Sequence, residues 1–548
     1  GSPVVISDHS SQSDHGISGV VSAKNRQVIQ VATEEWPEGF RHRIDLSPDE
    51  TTRRRQLAAM ARARVASGRA LKLRDTILGK RPASCHSKMM QSLVLRSDLN
   101  PPQESAVKFA LSVQDIGVIH GPPGTGKTTT IAELIYQSVK QGKSVLACAP
   151  SNTAVDNLLK KLIGLRCKAV RIGHPARVFR DLRQHTLDEL VDLDPSTRVI
   201  KEMRREVQQL VRAAQNASRG KDWRRRKRQY FSEAGQLRGQ IRSLEKSVIQ
   251  SVIDSAEVVC TTTTIDDDLL GDRHFDLVVI DEACQATIPG TWQSVLRAEK
   301  LILAGDHQQL PPTVLSRDAA DAGMQRSLLQ ELVERDGESI YRRLTVQYRM
   351  NEAIMNFSSE RFYDSQLLAD RSVASHQLAD FPQIVDNDLT QKPLLFIDTA
   401  GAEYEESLEE GGESKLNLRE AQLTSQVILK LIEYGTTPSD IAVIAPYAAQ
   451  VRALRHLIGT TGCEIDTVDG FQGQEKEVVV LTMVRSNEHR QIGFLADIRR
   501  TNVAITRARR KLIMIGDSAT LGSNDFYADL LDYFEQQQSY STVWQEDF

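Results

Sequence analysis

At 548 residues, with 40% hydrophobic and 26% charged side chains, the chain is long enough for two to four domains with full cores and has the composition of a globular protein. No apolar run approaches the ~20 residues of a membrane span and no signal peptide opens the chain, which argues against a membrane partner. Net charge is −3, from 69 Lys and Arg against 72 Asp and Glu, so any nucleic-acid binding must come from local patches, and six scattered cysteines without C-x-x-C spacing argue against a zinc site or disulfide framework and for a reducing compartment, cytoplasm or nucleus.

Residues 1–15 are polar and aperiodic, which predicts disorder. Two β-branched runs between Gly19 and Thr33 flank Lys24-Asn25-Arg26 and predict a hairpin, a fragment of a small β domain over residues 16–46. Ser47 as N-cap, Pro48 and Glu50 start a helical stalk over 47–80 whose Arg53, Arg54, Arg55, Arg62 and Arg64 form either a solvated face or a surface near a nucleic-acid backbone. Residues of about 80 to 100 read as a linker. Gln103 then opens a short helix; a glutamine can read both N6 and N7 of an adenine edge.

Gly121-Pro122-Pro123-Gly124-Thr125-Gly126-Lys127-Thr128 matches G-x-x-x-x-G-K-[ST] in full, after the buried-strand run Ile116 to His120 and before a helix from Thr129 to Lys140. The glycines let consecutive N–H groups and the helix N-terminus face phosphates, Lys127 adds a charge, and Thr128 offers a hydroxyl to Mg²⁺. A second buried strand, Ser144 to Ala149, delivers Ser151, Asn152 and Thr153 at its carboxyl end, where open α/β sheets bind ligands.

The α/β pattern is interrupted over 174–255 by two apolar stripes, Val199, Met203, Val207, Leu210, Ala214 and Leu237, Ile241, Leu244, Val248, which predict an inserted antiparallel helical pair. Between them, Lys221 to Arg228 is the densest basic run, either a phosphate-binding patch or a solubilising loop, with Trp223 able to stack a base. Phe275 to Ile280 is a strand that aims Asp281 and Glu282, the pair NTP hydrolysis needs for Mg²⁺ and for the attacking water. The strand Lys300 to Ala304 leads to Gln309, placed to sense a γ-phosphate.

A second α/β unit without a P-loop is expected over 336–548, with strands at Leu394 to Asp398, Ile441 to Ala445, Val478 to Thr482 and Leu512 to Ile515. Asn417 starts a helix with Glu420 as capping-box partner, and Glu403 to Glu413 reads as an exposed acidic loop. Arg349 and Arg507 are candidates for stabilising γ-phosphate charge, whereas Arg509 and Arg510 read as salt-bridge residues.

Together NPPQ, GPPGTGKT, APSNTAVDN, DEACQ, GDHQQLPP, QYRM, VDGFQGQEKE and VAITRARR resemble the ordered motif set of superfamily 1 helicases, in the 1B form of the nonsense-mediated-decay helicase and the immunoglobulin-mu switch-region-binding helicases. The resemblance covers residues 16 to 548. It implies an α/β fold of two RecA-like domains, 81–173 with 256–335 and 336–548, ATP between them, and a monomer moving 5′ to 3′ on single-stranded RNA or DNA. It also implies a partial β-barrel with its stalk before the P-loop and a helical insertion within the first domain.

Carried over residue by residue, Gln103 would select adenine and Tyr348 stack on it; Gly121 to Thr129, including Pro122, Pro123, Thr125 and Thr129, would hold the phosphates; and Thr128 with Asp281 would hold Mg²⁺. Glu282 would direct water, Gln309, Arg349 and Arg507 would meet the γ-phosphate, and Glu475 would help hold the nucleotide. Ser151, Asn152, Thr153 and Thr467 would contact the strand. Two departures are expected: only the last barrel strands are recognisable, and the chain ends soon after the second RecA-like domain. The truncated barrel leaves an ATP-gated clamp that hardly unwinds as the alternative; a P-loop kinase or GTPase would not need Tyr348, Arg349 and Arg507.

Overall fold

A computed structural model describes residues 3–8, 17–24, 28–33, 42–46, 50–84, 94–96, 98–216, 223–314 and 316–545. The chain divides into two compact units: residues 1–98, 107–117 and 131–303, and residues 99–106, 118–130 and 304–548.

At the N-terminus the strands β1 (Pro3–Asp8), β2 (Ile17–Lys24), β3 (Ile29–Thr33) and β4 (His42–Leu46) form an antiparallel sheet in the order β3-β2-β1-β4. The expected hairpin is β2 with β3; its turn at residues 25–27 lies outside the described residues. The expectation of disorder fails for Pro3–Asp8: alternation buries Val4 and Ile6, and β1 pairs with both β2 and β4. The remainder of 1–15 and the Ser47-Pro48 cap lie outside the described residues.

The stalk consists of α1 (Glu50–Arg64) and α2 (Gly68–Ile77). Two of its arginines meet the Asp266–Asp268 acid cluster, Arg55 with Asp266 and Arg62 with Asp267, both at 2.9 Å, so an internal electrostatic match accounts for part of the basic face. Helix α3 (Pro101–Ser112) precedes strand β5 (Ile116–His120), and α4 (Lys127–Lys140) follows the Gly-rich turn.

The first large sheet has seven strands. It adds β6 (Val145–Ala149), β7 (Ala169–Arg171), β8 (Val258–Thr262), β9 (Leu277–Ile280), β10 (Leu301–Gly305) and β11 (Tyr341–Arg343), in the order β11-β5-β10-β9-β6-β8-β7. Strands β5, β6 and β10 are buried throughout, which is why they read as unbroken apolar runs. The strand expected from Phe275 begins at Leu277, Phe275 making only an isolated bridge to Ala298.

Helix α5 (Asn152–Gly164) follows β6, and the insertion contains α6 (Pro195–Asn216) and α7 (Trp223–Ser255) around a core of Ile200, Val207, Ala234, Ile241 and Val248. Val199, expected in the first stripe, is exposed and Ile200 takes its place, a one-residue phase error on a 3.6-residue period. Residues 223–228 of the basic run are helical rather than a loop, the preceding turn lying outside the described residues.

The second sheet is parallel throughout. Its strands are β12 (Leu394–Asp398), β13 (Ile441–Ala445), β14 (Glu464–Thr467), β15 (Lys476–Thr482), β16 (Ala508–Gly516) and β17 (Tyr540–Thr542), in the order β14-β13-β15-β16-β12-β17. Leu394, Phe396, Ile444 and Leu481 face one core, while Leu395, Ile397, Val443 and Val480 face another, so both faces are covered. Two covered parallel sheets fit a pair of RecA-like domains.

Two expected boundaries shift. Tyr341–Arg343 pairs with residues 118–120 in the first sheet, and among the described residues the second sheet takes no strand before Leu394, so it does not begin at residue 336. Residues 99–106 and 118–130 cluster with the later unit, in which Asn100 bonds Tyr348, Tyr348 bonds Gly124 and Gly121 bonds Gly305.

The acidic stretch 403–413 is also more than an exposed loop. Ser407–Leu408 pairs with Lys415–Leu416, and the half-buried Glu406 lies between Lys415 and Arg485, with Arg485 Nε at 2.7 Å. Burial resists ionisation of Glu406, yet Lys415, Arg485, Asn487 and the Ser486 N–H together hold it below the usual carboxylate range.

Candidate functional site

The Gly-rich turn is built by local sterics. Gly124 and Gly126 have φ of +75° and +73°, the left-handed region. A Cβ on Gly121 would stand 2.7 Å from the Lys127 Cβ, and one on Gly126 would stand 2.6 Å from Gln103 Nε2. Thr125 Oγ1 donates to the Pro122 carbonyl at 2.7 Å, and the Gly121 N–H donates to the Gly305 carbonyl at 3.0 Å, fixing the turn to the end of β10. Lys127 is buried, Thr128 and Thr129 are partly exposed, and all three open α4.

Around this turn the same compact unit gathers most of the expected nucleotide residues. Gln103 is buried, with Oε1 accepting from the Asn100 N–H at 3.0 Å and Nε2 donating to the Thr125 carbonyl at 2.9 Å. One amide hydrogen and one lone pair therefore remain for a base. The Asn100 amide donates to the Tyr348 hydroxyl at 2.9 Å, and the Tyr348 N–H donates to the Gly124 carbonyl at 2.9 Å. Tyr348 keeps an exposed ring, 40% accessible.

Both arginines already have acceptors. Arg349 pairs with Glu475 and donates to the Thr506 carbonyl at 3.0 Å. Burial opposes ionisation of Glu475, but Arg349, Arg509 and Arg507 hold its carboxyl below the usual range. Arg507 donates to the Val503 carbonyl at 3.0 Å, the Gln474 carbonyl at 3.1 Å and Gln309 Oε1 at 3.2 Å. Arg509 and Arg510 bond Glu477 at 2.7 and 2.9 Å, the salt-bridge role expected of them.

Behind Gln309 lies a buried network that sequence reading missed. Asp306, the residue after β10, accepts from Gln309 Nε2 and the Tyr363 hydroxyl on Oδ2, each at 2.8 Å, while its Oδ1 meets His120 Nε2 at 2.9 Å. Asn502, on α8 (Ile498–Ile505), donates to the Tyr363 hydroxyl at 3.1 Å and to the Gln308 carbonyl at 3.0 Å. Burial alone would raise the Asp306 carboxyl, but His120 and Gln309 outweigh it and hold it well below the usual range. Burial, with His120 adding to it, pushes the His307 imidazole down to about 4. The signal was position: His120 and Asp306 each sit at the carboxyl end of a buried strand.

Asp281 and Glu282 belong to the other compact unit, at the carboxyl end of β9. Asp281 is 2% exposed, and its Oδ1 accepts from the Glu282 N–H at 2.8 Å. Glu282 has φ of +50°, uncommon for a non-glycine residue, and its carboxylate accepts from Gln285 Nε2 at 3.2 Å. A tight turn therefore aims two adjacent carboxylates differently.

In that unit Ser151 caps α5, Oγ accepting from the Ala154 N–H at 3.1 Å, and Thr153 is exposed. Asn152 Oδ1 accepts from Arg171 Nη2 at 2.7 Å. Arg171, fully buried, also bonds Asp156 at 3.0 Å, and the second Asp156 oxygen accepts from the Phe179 N–H at 2.9 Å. With Oδ1 taken, Asn152 retains its amide hydrogens as donors. Thr467 ends β14 in the other unit, its carbonyl accepting from the Gly470 N–H at 3.0 Å.

Two family models, each described as an AAA domain, match residues 98–317 and 324–519. DNA-binding protein SMUBP-2 of Mesocricetus auratus is 41% identical over 96% of this chain and 54% of its own length. The DNA polymerase alpha-associated DNA helicase A of Schizosaccharomyces pombe is 37% identical over 84% of this chain and 70% of its own, and an ATP-dependent helicase of Methanocaldococcus jannaschii is 34% identical over 92% and 80%. The chain belongs to the superfamily 1B helicases. This superfamily 1B chain spans about half the length of the SMUBP-2 proteins it matches, 54% and 51%. A solved arterivirus helicase, nonstructural protein 10, aligns at 13% identity over 76% of this chain and 63% of its own with a TM-score of 0.36, too slight a likeness to argue from.

Proposed function

We propose that this chain is an ATP-dependent helicase that translocates as a monomer on single-stranded RNA or DNA, 5′ to 3′ as the family resemblance implies, and separates duplexes. The observation that carries this reading is the shared network in one unit: Tyr348 and Asn100 bound beside the phosphate turn, and Arg507 bound to Gln309. A nucleotide-binding protein without mechanical coupling does not need an arginine 198 positions beyond Gln309 tied to it.

In this reading Gly121 to Thr129 hold the phosphates of ATP, Gln103 reads the adenine edge and Tyr348 stacks on the ring. The left-handed glycines and the clashes that any Cβ would create fit a turn kept open to phosphate. By the family resemblance Thr128 and Asp281 would hold Mg²⁺, whose charge would offset that of the phosphates. Glu282 orients the attacking water. Arg349 exchanges Glu475, and Arg507 its carbonyl partners, for γ-phosphate oxygens, so nucleotide binding breaks and remakes contacts around Gln309. Ser151, Asn152, Thr153 and Thr467 grip the strand.

A forked duplex assayed beside ATP hydrolysis tests the proposal. Strand-stimulated hydrolysis with release of the displaced strand supports it. Stimulated hydrolysis without released strand leaves an ATP-gated clamp, and absence of stimulation by any single strand overturns both.

A further inference from the structure

None of the nucleotide residues assigned above lies in the helical insertion, whose long helix has an unusual outer face. Helix α7 carries eight Lys and Arg against three Asp and Glu in a chain of net charge −3. Arg224 and Arg242 lie about five whole turns apart, as do Arg228 and Lys246, and Phe231, Gly235, Arg238 and Gly239 fall between them on the same side. All of these residues are exposed. Between Arg224 and Lys246 no Asp or Glu falls on this face; Glu245, at its margin, is paired with Arg204 of α6 at 2.6 Å. Ala234, Ile241 and Val248 point to the other side, into the core of the pair.

Two glycines in the middle of a 33-residue helix are destabilising relative to alanine. A Cβ on Gly235 or Gly239 would meet nothing within 4 Å, so packing does not require either one. An exposed strip of bare backbone flanked by cations allows another backbone, one carrying phosphates, to approach closely.

We propose that this face of α7 is a docking surface for the sugar-phosphate backbone of a nucleic-acid duplex, with Arg224, Arg228, Arg238, Arg242 and Lys246 as phosphate contacts. The row spans roughly 33 Å along a straight helix. A duplex is stiff over that length and keeps its phosphates in register with the row, whereas a flexible single strand is held by grooves rich in stacking aromatics, and this face offers Phe231 alone. The proposal rests on the nucleic-acid reading above, and the experiment separates the two.

Binding of the full chain to a blunt DNA duplex of about 20 base pairs is measured over a salt series, beside single-strand-stimulated ATP hydrolysis. In R238E/R242E/K246E, duplex affinity at low salt is expected to fall at least ~100-fold and the slope of log K against log salt to shrink by about 3, while kcat and the KM for single strand stay unchanged. G235A/G239A is expected to raise the melting temperature and yet weaken duplex binding several-fold. Unchanged duplex affinity in the charge reversal, or a parallel loss of single-strand affinity, overturns the inference alone. A wild-type chain whose hydrolysis no single strand stimulates overturns the reading beneath it.

Discussion

Arg507 Nη2 donates to Gln309 Oε1 across 3.2 Å, joining the loop after β10 to the segment between α8 and β16. The guanidinium also spans two carbonyls, so three acceptors fix its orientation. Arg507→Ala is expected to lower strand-stimulated kcat by about 10³-fold or more, with a smaller change in the KM for ATP. Arg507→Lys is expected to recover little, since an ammonium lacks the planar fork. Steady-state hydrolysis at saturating strand checks both.

Tyr363 joins Asp306 to Asn502 through one hydroxyl. Tyr363→Phe leaves the ring packed but removes a donor from a buried carboxylate and an acceptor from a buried amide, and is expected to cost about 1–3 kcal/mol in urea denaturation. If the hydroxyl also aligns Gln309, kcat falls by about tenfold while the KM for ATP stays level.

Glu420 supplies a pH dependence. Its N–H is capped by Asn417 at 3.0 Å as expected, but its side chain is not the second half of a capping box. It is fully buried against Thr482 and the Val484 N–H, the latter at 2.8 Å, while the Asn417 N–H that a capping box would use donates to Gln450 Oε1 at 2.9 Å. Burial, with Asp517 adding to it, raises its pKa from 4.5 to about 7 against the opposing hydrogen bonds. The folded state therefore holds a proton that the unfolded state loses, so this group's contribution is intact below the unfolded value and declines as pH rises to about 7. The loss amounts to about 3 kcal/mol and levels off above that. Glu420→Gln is expected to flatten the dependence of stability on pH across this window, measured by denaturant midpoints.

Arg171 and Asp156 are both fully buried, and Arg171 also fixes Asn152. Arg171→Met strands a buried carboxylate and is expected to destabilise by about 3–5 kcal/mol. At a temperature where the variant remains folded, the KM for single strand should rise with kcat little changed, because Asn152 loses the partner that orients it.

The parts legible in the sequence were those fixed by local rules. Strands such as Ile116–His120, Leu394–Asp398 and Ile441–Ala445 were readable to the residue because both faces are covered and no polar residue interrupts them. The Gly-rich turn was readable because its φ values and close contacts restrict residue type. What escaped depends on partners far along the chain. Nothing near Asp306 announces Tyr363 or Asn502, and nothing near Glu406 announces Arg485. The phase error at Val199 and the strand Pro3–Asp8 have the same origin, since which side faces inward is decided by a partner surface.

The coupling of the carboxylate at the end of β9 to hydrolysis is tested most directly by strand-stimulated ATP hydrolysis in Glu282→Gln. Glu282 is held in a left-handed turn with its carboxylate on Gln285, a geometry the amide can adopt without loss of fold. Hydrolysis is expected to fall by at least about 100-fold while ATP and single-strand binding persist. Hydrolysis at the wild-type rate in this variant would contradict that coupling.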